Sequence, residues 1–293
     1  MKTVEVIGHG SLPFITSVTS GYAASMGIDI PLRVVASYTD KPGDVEFVIK
    51  GEWDRDTKLI NQVRKGFIHR YLSKSKGKGI RIEIESRIPP GIGLKSGAAV
   101  SVYSVLAAAQ LLELTFSEND IIHHALNISK AVGGLYSASL DGIYASLKGG
   151  VVYTDNMGGR VISWYTGVPE HSIIIGYRRV EGSNLLSRIR EIRRYGELFK
   201  KIFDVGQKGG HLKAATLNGI LFSILGNLDY ETLVETLTEG AVAACVAGTG
   251  PSICIFVKED DLDRFRALLE DRGYKTLVTR PTSKGYTYRV VEE

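Results

Sequence analysis

The sequence predicts an α+β protein made of two domains. Its 293 residues are enough for two domains of ordinary size or for one large domain. Strand-like and helical stretches alternate through the first half, where an alternating strand, a Pro-Gly turn and a long apolar helix follow one another up to Ala109. From Ala241 onward the pattern is strand, turn, strand, helix and two strands, as in a split β-α-β domain. The boundary is predicted near residue 157, which gives domains 1–157 and 158–293.

Apolar and β-branched runs predict the strands of the first domain, and apolar positions at helical spacing predict its helices. The predicted strands are Thr3–Ile7, Ile28–Tyr38, Val45–Ile49, Gly79–Glu85 and Val151–Thr154. The predicted helices are Asp56–Leu72, Ser96–Leu114, one capped by Ser117 and Asp120 that reaches Val132, and a short one beginning near Gly142. The stretch Gly133–Ser139 is rich in Gly and Ser and predicts a loop.

The second domain is predicted to contain more helix than the first. Its predicted helices are Asn184–Phe203, Lys208–Leu225, Tyr230–Glu239 and Asp260–Arg272. Its predicted strands are Ser172–Tyr177, two strands joined by a Gly-Thr-Gly-Pro turn within Ala241–Val257, Lys275–Thr279 and Gly285–Val291.

Composition excludes several classes of protein. A hydrophobic content of 44% and a charged content of 23% are typical of a soluble globular chain. The net charge of +4 suits anionic small molecules and is too weak to indicate nucleic acid. The basic stretch Arg188–Lys201 is interleaved with Glu and apolar residues, which favours a solvated amphipathic helix.

No membrane segment or targeting segment is expected. The longest apolar run, Ala98–Leu114, is too short and too polar to span a membrane and suits a core helix. Cys245 and Cys254 form no disulfide framework, and each is expected to be a small buried residue in a reducing, cytoplasmic setting.

The turn before the Ala-rich helix is the strongest functional signal. Gly91 and Gly93 remove side chains where a backbone would approach a ligand, and small residues follow at Gly97 and Ala98. A helix N-terminus holds anions through unpaired N–H groups and the positive end of its dipole. The expectation is that the N–H groups of Ser96, Gly97 and Ala98 are free and that this segment binds phosphate.

Two common phosphate motifs do not fit this segment. A Walker A loop needs a Gly-Lys pair followed by Ser or Thr, and the chain has none. A dinucleotide fingerprint needs a third Gly where Ser96 stands. The alternative is a strand–turn–helix connection in which the glycines serve only the turn.

Three separated motifs resemble those of the GHMP kinases. The segment Pro89–Ala98 looks like their phosphate loop, Asp141-Gly142 before Gly149-Gly150 looks like their acidic segment before paired glycines, and Ala247–Ser252 looks like their C-terminal glycine motif. Within this superfamily the chain is most similar to archaeal-type shikimate kinases. The further matching segments are Gly21–Asp29, Lys95-Ser96, Gly150–Asn156, Leu217–Gly219 and Thr279–Gly285.

The resemblance implies a two-domain fold, with an N-terminal domain like ribosomal S5 domain 2 and a ferredoxin-like split β-α-β domain at the C-terminus. It also implies transfer of a phosphoryl group from ATP, with Mg²⁺, to the 3-hydroxyl of shikimate in aromatic amino-acid (chorismate) biosynthesis. The implied partners are these small molecules, without nucleic acid or membrane; the sequence leaves the oligomeric state open. Alternatives are another small alcohol, such as homoserine or mevalonate, or a catalytically silent homologue that binds nucleotide or metabolite.

The resemblance also assigns site residues. Asp141 would orient the acceptor hydroxyl or take its proton, although an N-cap role is equally consistent with its position. Ser96 would bond a phosphate oxygen or Mg²⁺, and Asn127 would be a further metal ligand. The residues expected to bind ATP phosphates are Pro89, Pro90, Gly91, Ile92, Gly93, Leu94, Lys95, Ser96, Gly97 and Ala98. Those expected on the acceptor side are Ser25, Asp29, Thr249 and Gly250.

Lys95 is expected to be a solvated turn residue without a catalytic role. The acceptor carboxylate needs a cation, since guanidinium pairs with it in a bidentate manner. Arg33, Arg179 and Arg280 are the candidates, and the sequence does not choose among them.

The chain departs from the family at three positions. Gly97 stands where the loop usually has a second Ser, Asn127 where a metal-binding Glu is usual, and Gly142 where the catalytic Asp is usual. Phosphoryl transfer depends mainly on positioning and charge neutralisation, and general-base help is typically worth about 10²–10⁴-fold. The kinase interpretation therefore survives the three changes.

Overall fold

The computed structural model describes residues 2–50, 57–133, 139–178 and 185–292. It shows two β-sheets with helices packed on them, so the predicted α+β class is confirmed. The strands are β1 (Lys2–Ile15), β2 (Tyr22–Thr39), β3 (Val45–Lys50), β4 (Gly79–Ser86), β5 (Val151–Asp155), β6 (Arg160–Tyr165), β7 (Ser172–Tyr177), β8 (Ala243–Val246), β9 (Ile253–Val257), β10 (Lys275–Thr279) and β11 (Thr287–Glu292).

The larger sheet has seven strands, in the order β11-β1-β2-β4-β3, with β5 pairing β2 and β6 pairing β5. Among the strand pairs that the structure describes in this sheet, β3 and β4 alone run parallel. The smaller sheet is antiparallel, in the order β10-β7-β9-β8.

The helices lie before, between and after these strands. They are α1 (Ser17–Ser20), α2 (Thr57–Val63), α3 (His69–Tyr71), α4 (Ser96–Leu111), α5 (Glu118–Gly133), α6 (Leu140–Lys148), α7 (Leu185–Ile192), α8 (Gly196–Gln207), α9 (His211–Gly226), α10 (Tyr230–Thr238) and α11 (Leu262–Asp271). A π-helical turn (Arg64–Ile68) joins α2 to α3, and 3₁₀ turns lie at Leu72–Ser75, Arg193–Tyr195 and Glu259–Asp261.

The helix α4 is the centre of the main core. Nearly all of its side chains are buried, and it packs on β1, β2, α5 and α6. The small side chains of its Ala-rich sequence let these elements approach closely. Because they surround the helix, it has almost no polar face. The core helix predicted from the apolar run is therefore confirmed. Within the described residues, none of the helices is long and apolar enough to span a membrane.

Several predicted elements differ from the observed ones. The predicted strand Thr3–Ile7 is the first part of β1, which continues to Ile15 through a bulge at His9 and Gly10. The strand β6 was not predicted. The basic stretch is not one helix, because the 3₁₀ turn Arg193–Tyr195 separates α7 from α8. The loop 134–138 and the predicted helix starts at Asp56 and Asn184 lie outside the described residues.

The last predicted strand has a different partner from the one expected. It was assigned to the C-terminal split β-α-β unit, but β11 pairs with β1 in the larger sheet. Within the described ranges, the smaller sheet therefore comprises β7, β8, β9 and β10. The boundary at residue 157 stays a prediction, and two strands beyond it, β6 and β11, belong to the larger sheet.

The paired glycines before β5, Gly149 and Gly150, contact the segment that leads to β11. A Cβ on Gly149 would lie 2.5 Å from the Lys284 carbonyl oxygen, and the φ of Gly149 is +68°. The N–H of Gly150 donates to the Thr282 carbonyl at 2.8 Å. These glycines therefore let the segment before β11 pass directly against the start of β5.

Candidate active site

A cavity of about 320 Å³ lies at the N-terminus of α4. We call it the phosphate cavity. Six of the ten predicted phosphate-binding residues line it: Gly91, Gly93, Leu94, Lys95, Ser96 and Gly97. The other four, Pro89, Pro90, Ile92 and Ala98, are not among its lining residues. The remaining walls come from Thr16, Ser17, Val18, Ser139, Gly248, Thr249 and Gly250.

Two glycine motifs that are far apart in sequence meet at this cavity. A Cβ on Gly93 would lie 2.2 Å from the Ala247 carbonyl oxygen, a distance no side chain tolerates. Gly248 in turn donates its N–H to the Pro13 carbonyl at 2.8 Å. Absence of side chains at Gly93 and Gly248 therefore lets the turn between β8 and β9 close against the loop before α4.

The first turn of α4 is less open than expected. The N–H of Ala98 donates to the Lys95 carbonyl at 2.9 Å, so the expectation that it is free is wrong. Lys95 adopts a left-handed conformation, with φ of +50°, which turns its carbonyl toward the helix. The small first residues, Ser96 and Gly97, line the cavity.

Lys95 and Asp141 form an ion pair beside the cavity. The Lys95 ammonium lies 2.7 Å from both carboxylate oxygens of Asp141. Ser25 donates its hydroxyl to Oδ2 of Asp141 at 2.5 Å, and Asn156 donates its amide to Oδ1 at 2.9 Å. The Asp141 side chain is 0% exposed and that of Lys95 is 16% exposed. The prediction that Lys95 is solvated is therefore wrong.

The charge state of Asp141 follows from these contacts. Burial by itself would raise the pKa of Asp141, but the Lys95 charge and hydrogen bonds from Lys95, Ser25 and Asn156 outweigh it and lower that pKa. Asp141 is therefore an ionised carboxylate with donors on both oxygens. It lies inside α6, whose N-cap is Ser139, so the N-cap alternative for Asp141 is wrong.

The Lys95 side chain occupies the space that a side chain at residue 142 would need. A Cβ at Gly142 would lie 2.7 Å from Cδ and 3.3 Å from Cβ of Lys95. The lysine chain thus passes over the position where the resemblance places an aspartate. The pair Lys95–Asp141 and a side chain at residue 142 exclude each other unless Lys95 moves.

The predicted acceptor-side residues separate into two groups. Thr249 and Gly250 line the phosphate cavity, and Ser25 is completely buried behind it on Asp141. Asp29 lies apart, with its side chain 65% exposed and paired with His9 at 3.3 Å. A role of Asp29 toward an acceptor stays a prediction.

The chain offers few ligands for a metal at this site. Among the described residues no group of three His, Cys, Asp or Glu side chains could hold a metal ion. Asn127 is exposed on α5 and is absent from the cavity lining. The cavity does present the hydroxyls of Ser96 and Thr249 and the glycine backbone. This donor set fits phosphate oxygens, and a Mg²⁺ carried by phosphates needs only one or two protein oxygens.

Of the three predicted arginines, the two that the structure describes do not lie at this site. Arg33 pairs with Glu5 at 2.5 Å, and Arg280 pairs with Glu259 at 2.7 Å. Arg179 lies outside the described residues. Neither described arginine lines the phosphate cavity.

The sequence did not predict that Lys95 and Asn156 both bond to Asp141. Lys95 and Asn156 occur in matching segments, yet only the fold shows that both reach Asp141. No local pattern signalled these contacts, because residues 95, 141 and 156 lie far apart in the chain. The buried thiols were predicted correctly, since Cys245 and Cys254 are free and completely buried.

Comparisons with known proteins agree with this architecture. Residues 59–150 match the family described as GHMP kinases N terminal domain. A shikimate kinase from Thermoplasma acidophilum is 25% identical over 292 residues, which cover 98% of this chain and 98% of that protein. A shikimate kinase from Methanobrevibacter smithii is 24% identical over 264 residues, which cover 88% and 90%.

Solved structures show the same fold at lower identity. Homoserine kinase from Cytophaga hutchinsonii superposes with a TM-score of 0.71 at 20% identity, covering 98% of this chain and 97% of that one. Mevalonate kinase from Methanococcus jannaschii gives a TM-score of 0.73 at 17% identity, covering 95% and 98%. Residues 59–150 are thus matched to the GHMP kinase N-terminal domain, and the chain is similar in sequence, along nearly its whole length, to archaeal proteins named shikimate kinase.

Proposed function

We propose that the chain transfers the γ-phosphoryl group of ATP to the 3-hydroxyl of shikimate. The observation that carries this proposal is the similarity to proteins named shikimate kinase along 98% of the chain, together with an ion-paired lysine at the phosphate cavity. We also infer that the protein acts in the cytoplasm, where both of its substrates would be available.

In this proposal the loop before α4 holds the phosphates of ATP. Gly91 and Gly93 allow the backbone to approach phosphate oxygens, and the hydroxyl of Ser96 donates to one of them. Magnesium, when bound, would neutralise charge on the phosphates, with Ser96 as the chain's ligand for it. Thr249 would close the opposite wall of the cavity.

Lys95 would supply the protein's own positive charge to the transferring group. Phosphoryl transfer has a loose transition state, so fixed charges and positioning account for most of the catalysis. Asp141 holds the ammonium from behind at 2.7 Å, and Ser25 and Asn156 fix the carboxylate. Lys95 is therefore pre-oriented and does not need to reorganise during the reaction.

Asp141 is poorly suited to be the base. Its pKa is lowered and both oxygens already accept hydrogen bonds. We therefore assign it to orient Lys95, which revises the role implied by the family resemblance. As the new O–P bond forms and the bond to ADP breaks, the acceptor proton would pass to a phosphoryl oxygen or to water.

The test is ADP release by the purified chain with ATP, Mg²⁺ and shikimate, with homoserine and mevalonate as parallel acceptors. We expect turnover that depends on shikimate. Turnover with another acceptor alone would contradict the substrate assignment. ATP binding without turnover on any of the three would contradict the proposed activity.

A further inference from the structure

The helix α9 has an apolar surface on the side that faces solvent. Leu217 is 40% exposed and Ile224 is 52% exposed. Ile220 and Leu221, which lie between them, are half-buried. Residues spaced by three, four and seven positions lie on one face of a helix, so these four side chains form one continuous stripe. We call it the α9 stripe.

The composition of α9 is that of a helix buried on all sides. A surface helix normally has charged or polar residues on its solvent side, and a helix that is apolar all round is normally buried. Residues 214–226 of α9 include no charged residue. Two of its polar side chains, Asn218 and Ser223, are buried instead, and the described residues offer no hydrogen-bond partner to either. Polar residues inside and apolar residues outside indicate that the outer side of α9 is also covered.

The α9 stripe is complementary to a second copy of itself. Two α9 helices can cross antiparallel about a two-fold axis that passes between Ile220 and Leu221. Leu217 of one copy then meets Ile224 of the other, and symmetry repeats the contact. Each exposed apolar side chain is thereby covered by another, which a two-fold interface requires because both copies present the same surface.

The charges at the two ends of the stripe are complementary about the same axis. Lys213 lies one turn before Leu217, is exposed, and has no ion-pair partner among the described residues. The antiparallel crossing brings it to the far end of the other α9, where α10 begins with the exposed Glu231. The C-terminus of a helix is also the negative end of its dipole. The two-fold axis therefore places a lysine at a negative helix end twice.

The neighbouring helix α10 extends the apolar surface. A stable interface buries about 800 Å² on each partner, which four partly exposed side chains do not supply alone. The helix α10 packs on α9 and carries the exposed side chains of Tyr230 and Val234, one turn apart. Two helices from each copy are thus available for the contact.

We propose that α9 and α10 form the interface of a homodimer, in which a second copy of this chain packs its own α9 stripe antiparallel on the first. The opposite side of α9 packs on β8, where the Ala244 N–H donates to the Thr216 hydroxyl at 3.3 Å. No residue of the stripe lines the phosphate cavity in the described part of the chain. The dimer therefore leaves that cavity accessible in both copies, and the inference does not depend on the substrate.

Sedimentation velocity of the full chain at about 10 µM tests the interface, since a dimer with a micromolar dissociation constant is populated there. We expect the wild type to have twice the mass of one chain. Leu217→Glu and Ile224→Glu should each have the mass of one chain, because the dimer would bury unpaired carboxylates. Val278→Glu is the matched control and should stay dimeric. Val278 is 41% exposed on β10, at the opposite edge of the smaller sheet from β8.

A charge exchange tests the orientation of the two helices. Lys213→Glu should raise the dissociation constant of the dimer about ten-fold, because symmetry turns two attractive contacts at the rim into two repulsive ones. Glu231→Lys should have a similar effect. The double variant should recover the wild-type value, because exchanging the two charges restores opposite signs across the interface. Both residues are exposed, so these variants keep the test valid if a glutamate in the stripe prevents folding.

A wild-type chain that is monomeric at this concentration would overturn the proposal, even if another protein or a lipid surface bound the stripe. Dimers that persist in both Leu217→Glu and Ile224→Glu would place the interface elsewhere and overturn it too. A double charge variant that stays as weak as the single ones would contradict the antiparallel arrangement. Circular dichroism of each variant shows whether a loss of the dimer is separate from a loss of the fold.

Discussion

At the scale of single residues, the position of Lys95 makes this site different from the one that the resemblance implies. Lys95 fills the space beside Gly142 and brings a positive charge to the phosphate cavity, where an aspartate would bring a negative one. The buried Asp141 is then needed to compensate that charge, since an unpaired buried charge is strongly destabilising. The glycine at residue 142, where the resemblance implies an acid, therefore goes together with the position of Lys95.

The first prediction concerns stability and pH. Because the pKa of Asp141 is lowered in the folded chain, the pair stabilises the fold above the unfolded pKa of about 4, and this contribution is lost as pH falls through the folded value. Lys95→Met leaves Asp141 buried without its cation and should cost about 3 kcal/mol of unfolding free energy at pH 7. The cost should shrink toward pH 4, as Asp141 becomes protonated in the variant.

Denaturant unfolding at several pH values measures this effect. Lys148→Met is the control, because Lys148 pairs with Glu118 at 2.9 Å where both side chains are partly exposed. That change should cost about 0–1 kcal/mol. A Lys95→Met cost that is equally small, or independent of pH, would contradict a buried ion pair.

The second prediction compares substitutions at Gly142 and Gly97, two positions where the resemblance implies a polar side chain. Gly142→Asp should lower kcat by about 10²-fold, because its Cβ would displace Lys95 and a shift near 1 Å can have that effect. Gly97→Ser should leave kcat within a few-fold, because its Cβ would lie 3.5 Å from Leu59, an ordinary contact. Steady-state kinetics at saturating ATP compares the two, and a rise in kcat for Gly142→Asp would refute the displacement argument.

At the scale of elements, the site depends on a contact between the loop before α4 and the turn joining β8 to β9. The third prediction compares two glycines of that loop, Gly91 and Gly93, which both have positive φ. Each change to Ala should cost about 1 kcal/mol for the backbone alone. Gly93→Ala should cost clearly more and raise the KM for ATP, since its Cβ would lie 2.2 Å from the Ala247 carbonyl oxygen.

The matched variant makes the comparison direct. Apart from its chain neighbours, none of the described residues has an atom within 4 Å of a Cβ on Gly91, so Gly91→Ala reports backbone strain only. Thermal unfolding and the KM for ATP measured on both variants decide the question. Equal effects would mean that the turn does not close against the loop.

The sequence predicted those elements whose signals are local. Apolar spacing marked α4, and Ser117 with Asp120 marked the start of α5, where the two residues bond each other. It did not predict the length of β1, since a bulge and Pro13 interrupt the alternation of its side chains. The partner of β11 and the approach of Lys95 to Asp141 depend on residues far apart in the chain, and no local pattern encodes them.

At the scale of the whole molecule, the last described strand, β11, pairs with the first one, β1. After β10 the chain leaves the smaller sheet, passes against Gly149 and Gly150, and pairs β11 with β1. Arg289 of β11 also pairs with Glu5, which Arg33 contacts from the other side at 2.5 Å. The edge of β1 is thereby covered.

The fourth prediction is that removing residues 287–293 lowers the free energy of unfolding by about 3 kcal/mol, because ladder hydrogen bonds along β1 are lost. Open strand edges also promote association between molecules, so the truncated chain should scatter more light on heating. Arg289→Ala serves as the control, since it removes one largely exposed partner of Glu5 and should cost about 0–1 kcal/mol. Unchanged stability and scattering in the truncated chain would show that β11 does not protect the sheet.

The pairing of β11 with β1 also has a consequence during synthesis on the ribosome. The two strands are separated by almost the entire chain, from Ile15 to Thr287. At about 5–20 residues per second, the nascent chain exposes the outer edge of β1 for roughly tens of seconds before its partner is made. During that interval, chaperones that shelter unpaired strands would have this edge as their natural point of contact.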